Sequence, residues 1–233
     1  MYHAIATLAP DPNKLCTVPD RFEAQRSYLK QCHMREVSMQ ELNRAMNMNR
    51  ARGLVGFTFN DGCKDVLDTA MPVLKKFGFS ATVFVVVGRL GKENDWQHTY
   101  SPKPRIKLLE AKELREVVIR GMEVGSHSMT HANLRGAEPE LLTREVETSC
   151  RMLSTVLREA VQGFCFLYGC LDEEAVQAVR RAGSAYACGW MTRPERNVYD
   201  WPRIPVSDRD NAVRFALKLE TYAQHSKVSR RYT

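Results

Sequence analysis

Short apolar runs alternate with helical patterns along this chain, and that alternation limits the fold more than any single residue does. Ala81 to Val87 is a continuous β-branched and aromatic run and the strongest strand signal present. Leu54 to Phe59 reads as a buried strand before it, with Ile5 near the start as a further strand candidate. Met122 to Ser126, Gly163 to Leu167, Ser184 to Cys188 and Arg203 to Val206 read as strands after it. Helical spacing falls between them: Asp20 to Gln31, Ser38 to Met48, Lys64 to Phe77, Glu110 to Arg120, Pro139 to Arg158, Asp172 to Ala182 and Asp210 to Tyr222. Pro72 is expected to kink the third of these, and Gly78 to stop it. Repeated β-then-α units predict an α/β fold with parallel strands and outer helices. A closed or nearly closed (β/α) barrel fits the six or seven units; an open doubly wound sheet is the alternative. In either, the chemistry belongs at the C-terminal ends of the strands.

The 233 residues, 44% hydrophobic, suit one domain over 1–233, with two small domains as the alternative. The net charge of +7 favours acidic partners in general. The basic residues are scattered, however, and the densest cluster is the tail Lys227, Arg230 and Arg231, so no nucleic-acid partner is expected. Seven cysteines, an odd number with no CxxC pair, read as reduced thiols and not as a disulfide framework or zinc ribbon. No window is apolar enough to span a membrane, and Met1 to Lys14 lacks a signal-peptide pattern, so a cytoplasmic protein is expected.

The strand ends carry the reactive residues. Asn60 and Asp61 follow the Leu54 strand, His127 follows the Met122 strand, and Tyr168 follows the Gly163 strand. His127 and His131 are spaced i, i+4, which sets both imidazoles on one side of a helix or tight turn. Alone, that spacing also fits two surface histidines, and Asn60-Asp61-Gly62 also fits an ordinary turn. Together, two imidazoles and the Asp61 carboxylate form a divalent-metal set with open positions, which is the catalytic pattern. Zn²⁺ suits it, as do Co²⁺, Ni²⁺ and Fe²⁺; non-haem iron oxygenases share the ligand set, but the βα repeats point away from them. Asp65 and Asp68 are placed as favourable charges near a helix N-terminus. The polar stretch Gly88 to Arg105, with Trp96 and Tyr100, reads as a loop able to border the site.

Thr58-Phe59-Asn60-Asp61-Gly62, His127-Ser128-Met129-Thr130-His131 with Leu134, and Phe166-Leu167-Tyr168-Gly169 together resemble three motifs of the polysaccharide deacetylase family, also called carbohydrate esterase family 4 or the NodB homology domain. The third motif has lost its proline. Tyr2-His3, Val18-Pro19 with Phe22 and Gln25, and Arg203-Ile204-Pro205-Val206 resemble its circularly permuted branch. The resemblance implies a distorted barrel of about seven strands and a metal held by Asp61, His127 and His131. It implies His3 as general acid, the Tyr168 backbone N–H as an oxyanion donor, and Arg203 as the residue that orients the catalytic carboxylate.

The departure is Asn60, which stands where the family keeps the aspartate that acts as base. An amide keeps the shape but cannot accept the proton. Three accounts fit: an isosteric exchange that traps substrate, a natural variant that is slow or uses another base, and a natural pseudo-enzyme that binds sugar. The expected activity is metal-dependent N-deacetylation of an N-acetylated amino sugar, with a glycosylated small molecule or glycolipid intermediate as the expected target. A carbohydrate-binding pseudo-deacetylase and a hydrolase of other amides or esters are the rivals.

Overall fold

The computed structural model describes residues 1–8, 11, 13–96, 105–190 and 197–228, with side chains described up to residue 221. Tyr100, Arg230 and Arg231 lie outside the described residues, and the Lys227 side chain is also beyond them. Five strands form one parallel sheet in sequential order: β3 (Thr58–Phe59), β4 (Thr82–Val85), β5 (Glu123–Ser126), β6 (Gly163–Cys165) and β7 (Tyr186–Cys188). β4 is buried along its whole length, as its apolar run predicts. The helices α3 (Met71–Phe77), α4 (Ala111–Ile119), α6 (Ser149–Leu157) and α7 (Glu173–Arg181) come from the stretches between strands. Their apolar faces pack into the hydrophobic clusters that also bury the strands.

The sheet curls into a half-barrel, and two extended segments continue the curl. Trp201 pairs with Cys188 at the β7 edge. From there Ile204 O and Val206 N bond the Met1 backbone, each at 2.9 Å. Tyr2 in turn pairs with Phe59 at the opposite edge. The distorted (β/α)7-type barrel expected above is therefore the observed architecture, with single bridges where two strands would close a regular one.

Several boundaries differ from the sequence reading, for local reasons. The apolar run 54–59 is two strands in two sheets. β2 (Leu54–Gly56) pairs with β1 (Arg35–Val37), while β3 belongs to the main sheet. Phe57 is the switch: its N–H donates to Val37 O and its carbonyl accepts from Thr82 N, both at 2.9 Å. β1 is three residues between α1 (Pro19–Gln31) and α2 (Met39–Asn47), too short for a periodic signal. Ile5 and Arg203–Val206 are extended but are not strands, because their partners are single bridges and isolated bonds. Pro72 does not break the helix around it. A π-helical turn over Val66–Ala70 precedes it, and α3 starts with Pro72 in its first turn, where a missing N–H costs little. The helix α5 (Pro139–Leu142) likewise widens into a π-helical stretch over Thr143–Thr148 before α6. Seven free thiols are present, five of them buried. No helix among the described residues is long and apolar enough to cross a membrane.

Candidate active site

Three strand ends converge. After β3 the chain turns sharply through Asp61 (φ 71°) and Gly62 (φ 76°). Gly62 is required twice over, because a Cβ there would meet Val85 Cγ1 at 2.8 Å in addition to the left-handed backbone. After β5 the chain does not continue as a helix; Ser128 (φ 69°) and His131 (φ 68°) bend it back, which turns both imidazoles inward. After β6 a single 3₁₀ turn carries Tyr168 at φ 54°. Left-handed non-glycine residues cost of order 1–3 kcal/mol each and persist only where surrounding structure holds them. Four of the eight found among the described residues gather at this one place.

His127 Nε2 and His131 Nε2 lie 3.6 and 3.5 Å from Asp61 Oδ1. Donor atoms of the three residues fall within 4.8 Å of one another. His127 Nδ1 donates to Cys165 O at 2.8 Å. A carbonyl only accepts, so the proton sits on Nδ1 and the Nε2 lone pair faces Asp61. Burial lowers the His127 pKa to about 3, with the neighbouring His131 pushing the same way. Burial works to raise Asp61, but the imidazoles of His131, His3 and His127 outweigh it and hold this carboxyl well below the usual range. A neutral imidazole lone pair and an ionised carboxylate are the forms that bind a divalent cation, so the donor set fits one.

Asn60 is buried beside this group. Its Oδ1 accepts from Arg203 Nη1 at 2.7 Å, and Cys165 Sγ approaches the same oxygen at 3.7 Å. The amide N–H donors therefore face the other way, with Met1 Sδ at 3.4 Å from Nδ2. Arg203 is itself buried and reaches Gly189 O (2.9 Å), Thr58 Oγ1 (3.4 Å) and Cys165 Sγ (3.0 Å). Among the described residues it is paired with no carboxylate. The Cys165 thiol is pushed up to about 11 by burial, against the pull of Arg203, and stays protonated.

His3 sits between two bridging residues, Tyr2 on Phe59 and Ala4 on Cys16. Tyr2 Oη donates to Gln25 Oε1 at 2.7 Å and accepts from Arg26 Nη2 at 3.0 Å, which fixes this segment on α1. Burial lowers the His3 pKa, with the Asp61 charge opposing it, so His3 shares the electrostatic field of the cluster. Asp65 is not simply a charge at a helix end. Its Oδ2 accepts from Ile5 N, tying the His3 segment to the turn that follows Asp61.

Glu145, which the sequence did not single out, joins Trp96 and Tyr168 in completing the surroundings. Glu145, fully buried on the π-helical stretch, accepts from Met129 N (3.1 Å), Thr130 N (2.8 Å) and Thr130 Oγ1 (2.8 Å). That carboxylate holds the His127–His131 bend. The Val87 and Gly88 N–H groups tie the same bend to the end of β4. Glu145 carries no motif; only its place on a long amphipathic helix was readable. Trp96, on the loop expected to border the site, stacks on the His131 ring at 4.7 Å and 24°. The Tyr168 hydroxyl lies 3.3 Å from His131 Nδ1.

Residues 47–187 match the family profile described as polysaccharide deacetylase. The chain is 24% identical over 228 residues to YxkH of Bacillus subtilis, a candidate polysaccharide deacetylase, covering 95% of this chain and 75% of that one. It is 23% identical over 201 residues to the poly-β-1,6-N-acetyl-D-glucosamine N-deacetylase of Staphylococcus aureus strain MRSA252, covering 81% and 67%. Among solved structures, the Streptococcus pyogenes deacetylase PplD, in complex with acetate, superposes with a TM-score of 0.80 at 23% identity, covering 94% and 95% of the two chains. IcaB of Ammonifex degensii superposes with a TM-score of 0.75 at 22% identity, covering 93% and 94%. These superpositions are likenesses of fold.

Proposed function

This chain belongs to the polysaccharide deacetylase family, and from that premise we propose that it is built to hydrolyse the acetamide of an N-acetylated amino sugar at the Asp61–His127–His131 site. The observation that carries the reading is the convergence of these three donors with Asn60 and its Arg203 partner at the strand ends. A divalent metal, Zn²⁺ or Co²⁺, Ni²⁺ or Fe²⁺, would be held by Asp61, His127 and His131, where it would polarise a carbonyl and lower the pKa of water from 15.7 to about 7. The chain's own residues do the rest. The Tyr168 N–H donates to the developing oxyanion, and His3 moves the proton to the leaving amine. Burial keeps His3 neutral at physiological pH, so it accepts a proton before it donates one.

Asn60 is what limits turnover in this reading. Its Oδ1 is taken by Arg203 and its Nδ2 lies 3.4 Å from Met1 Sδ, and an amide has no basic lone pair to give the reaction. Replacing Asn60 with Asp supplies that acceptor and gives Arg203 a carboxylate to orient. Acetate release from N-acetylglucosamine oligomers is expected to rise about 10²–10⁴-fold in Asn60→Asp, the usual contribution of a positioned base, and to vanish with a chelator. The substrate panel sets β-1,6-linked polymer, named for the Staphylococcus aureus relative, against a small N-acetylated glycoside or glycolipid. The amide in place of a carboxylate also favours a second reading, a sugar-binding pseudo-deacetylase. An Asn60→Asp protein that binds metal and oligosaccharide yet releases no acetate would establish that reading and sink the first.

A further inference from the structure

We propose that Trp96 and Tyr168 are positioning residues for His131: Trp96 holds the ring in the rotamer a metal requires, and Tyr168 accepts the Nδ1 proton once Nε2 is engaged. The inference rests on reading Asp61, His127 and His131 as the metal ligands. To present its Nε2 lone pair toward Asp61, His131 must carry its proton on Nδ1 and needs an acceptor there. The only described side-chain partner for Nδ1 is the Tyr168 hydroxyl at 3.3 Å. Unlike the carbonyl that serves His127, a phenol can also donate, so it tolerates both tautomers and selects one only when Nε2 is engaged. The ring plane is set by its neighbours. Trp96 lies nearly parallel to it at 4.7 Å. Tyr168 and His127 each stand at 90° to it, at 5.4 and 5.3 Å. Turning the ring would drive its edge into the indole.

The backbone alone does not provide this placement, because His131 sits at φ 68°, a conformation uncommon for any residue but glycine. Trp96 is suited to the task because its other contacts are fixed. It packs on a buried cluster of Ala4, Cys16, Cys63 and Leu108. A loop side chain and a half-exposed tyrosine thus complete a ligand that the bend only half determines.

The test is zinc and cobalt titration calorimetry on metal-free protein, with Tyr168→Phe, Trp96→Leu and Trp96→Phe. Tyr168→Phe and Trp96→Leu are each expected to raise the Zn²⁺ Kd about tenfold, the lower end of what removing a ligand's outer partner costs, and to shift the visible absorption of the Co²⁺ form. Trp96→Phe keeps a stacking ring and is expected to bind as wild type does. Kd values within twofold of wild type for Tyr168→Phe and Trp96→Leu would overturn the proposal. So would an equal loss in Trp96→Leu and Trp96→Phe, which would mark packing and not stacking. A wild-type protein that binds neither ion would overturn the metal reading itself, a result distinct from failure of the clamp.

Discussion

His127 and His131 are four residues apart and face the same carboxylate oxygen at nearly the same distance, yet they are held in opposite ways. His127 is part of the barrel: 2% exposed, with its Nδ1–H bonded to a backbone carbonyl of β6 that no substitution can remove. His131 is held from outside, by the bend that Glu145 anchors, by a phenol that can give or take a proton, and by an indole on a loop. Asn60 and Asp61 belong with His127, since they are continuous with β3. His3 belongs with His131, since it rides on a segment fixed by bridges. The site therefore has a half set by the sheet and a half set by attached segments. Substitutions should separate the two.

The largest effect belongs to the sheet-set half. Asp61→Ala and His127→Ala are expected to abolish measurable Zn²⁺ binding by calorimetry. Retention of near-wild-type affinity in either would mean that the triad is not the metal site. Glu145→Gln comes next. Glutamine keeps one acceptor oxygen for the three donors of the bend and the Arg144 guanidinium, and turns an NH₂ toward the rest. Leaving a buried donor unsatisfied costs about 1–3 kcal/mol, and urea unfolding should report a loss of that size. Zinc affinity should fall about tenfold as the bend loosens, the scale seen when an outer partner of a ligand is lost. A stability loss with unchanged zinc affinity would show that Glu145 supports the fold but not His131, and would erase the contrast drawn for that half.

The same division explains what the sequence revealed. Asp61, His127 and Tyr168 were legible because strand signals place them at strand ends, and parallel βα folds put ligands there. The barrel was legible from repeated βα periodicity. In the attached half His131 was legible from its i, i+4 spacing to His127, but what holds it was not. Glu145 is an ordinary acidic residue on an amphipathic helix, and only the three-dimensional path of the 128–130 bend gives it three donors. Phe57 splits an apolar run into strands of two sheets because its N–H and C=O point to different partners, which hydrophobicity does not encode. Arg203 and Ile5 read as strand residues, since extended chain that closes a barrel by isolated bonds has strand-like composition without a ladder. The role given to Asp65, a helix-end charge, followed from its sequence position, but its carboxylate is turned toward the Ile5 N–H.

That Asp65 tether gives the smallest effect and tests the segment that carries His3. One oxygen of the carboxylate accepts from Ile5 N, and the other is buried with no partner. Burial raises its pKa from 3.8 to about 6, although the bond from Ile5 works to lower it. The folded protein thus holds this proton more tightly than the unfolded chain does. Its contribution to stability is full below pH 3.8 and is lost as the pH rises through about 6. Asp65→Asn keeps an acceptor for Ile5 N and cannot ionise. The stability difference between variant and wild type should therefore change by roughly 1–3 kcal/mol in the variant's favour between pH 4 and pH 7, at 1.36 kcal/mol for each pKa unit. Urea unfolding across that range measures it, alongside zinc affinity at pH 7, which should not change because the hydrogen bond of the Asp65 side chain goes to the attached segment. A difference that is flat with pH would mean the carboxylate is solvated when folded, and the His3 segment would then need another anchor. A fall in zinc affinity would instead join the attached segment to the sheet-set half, and the two-part description of the site would fail.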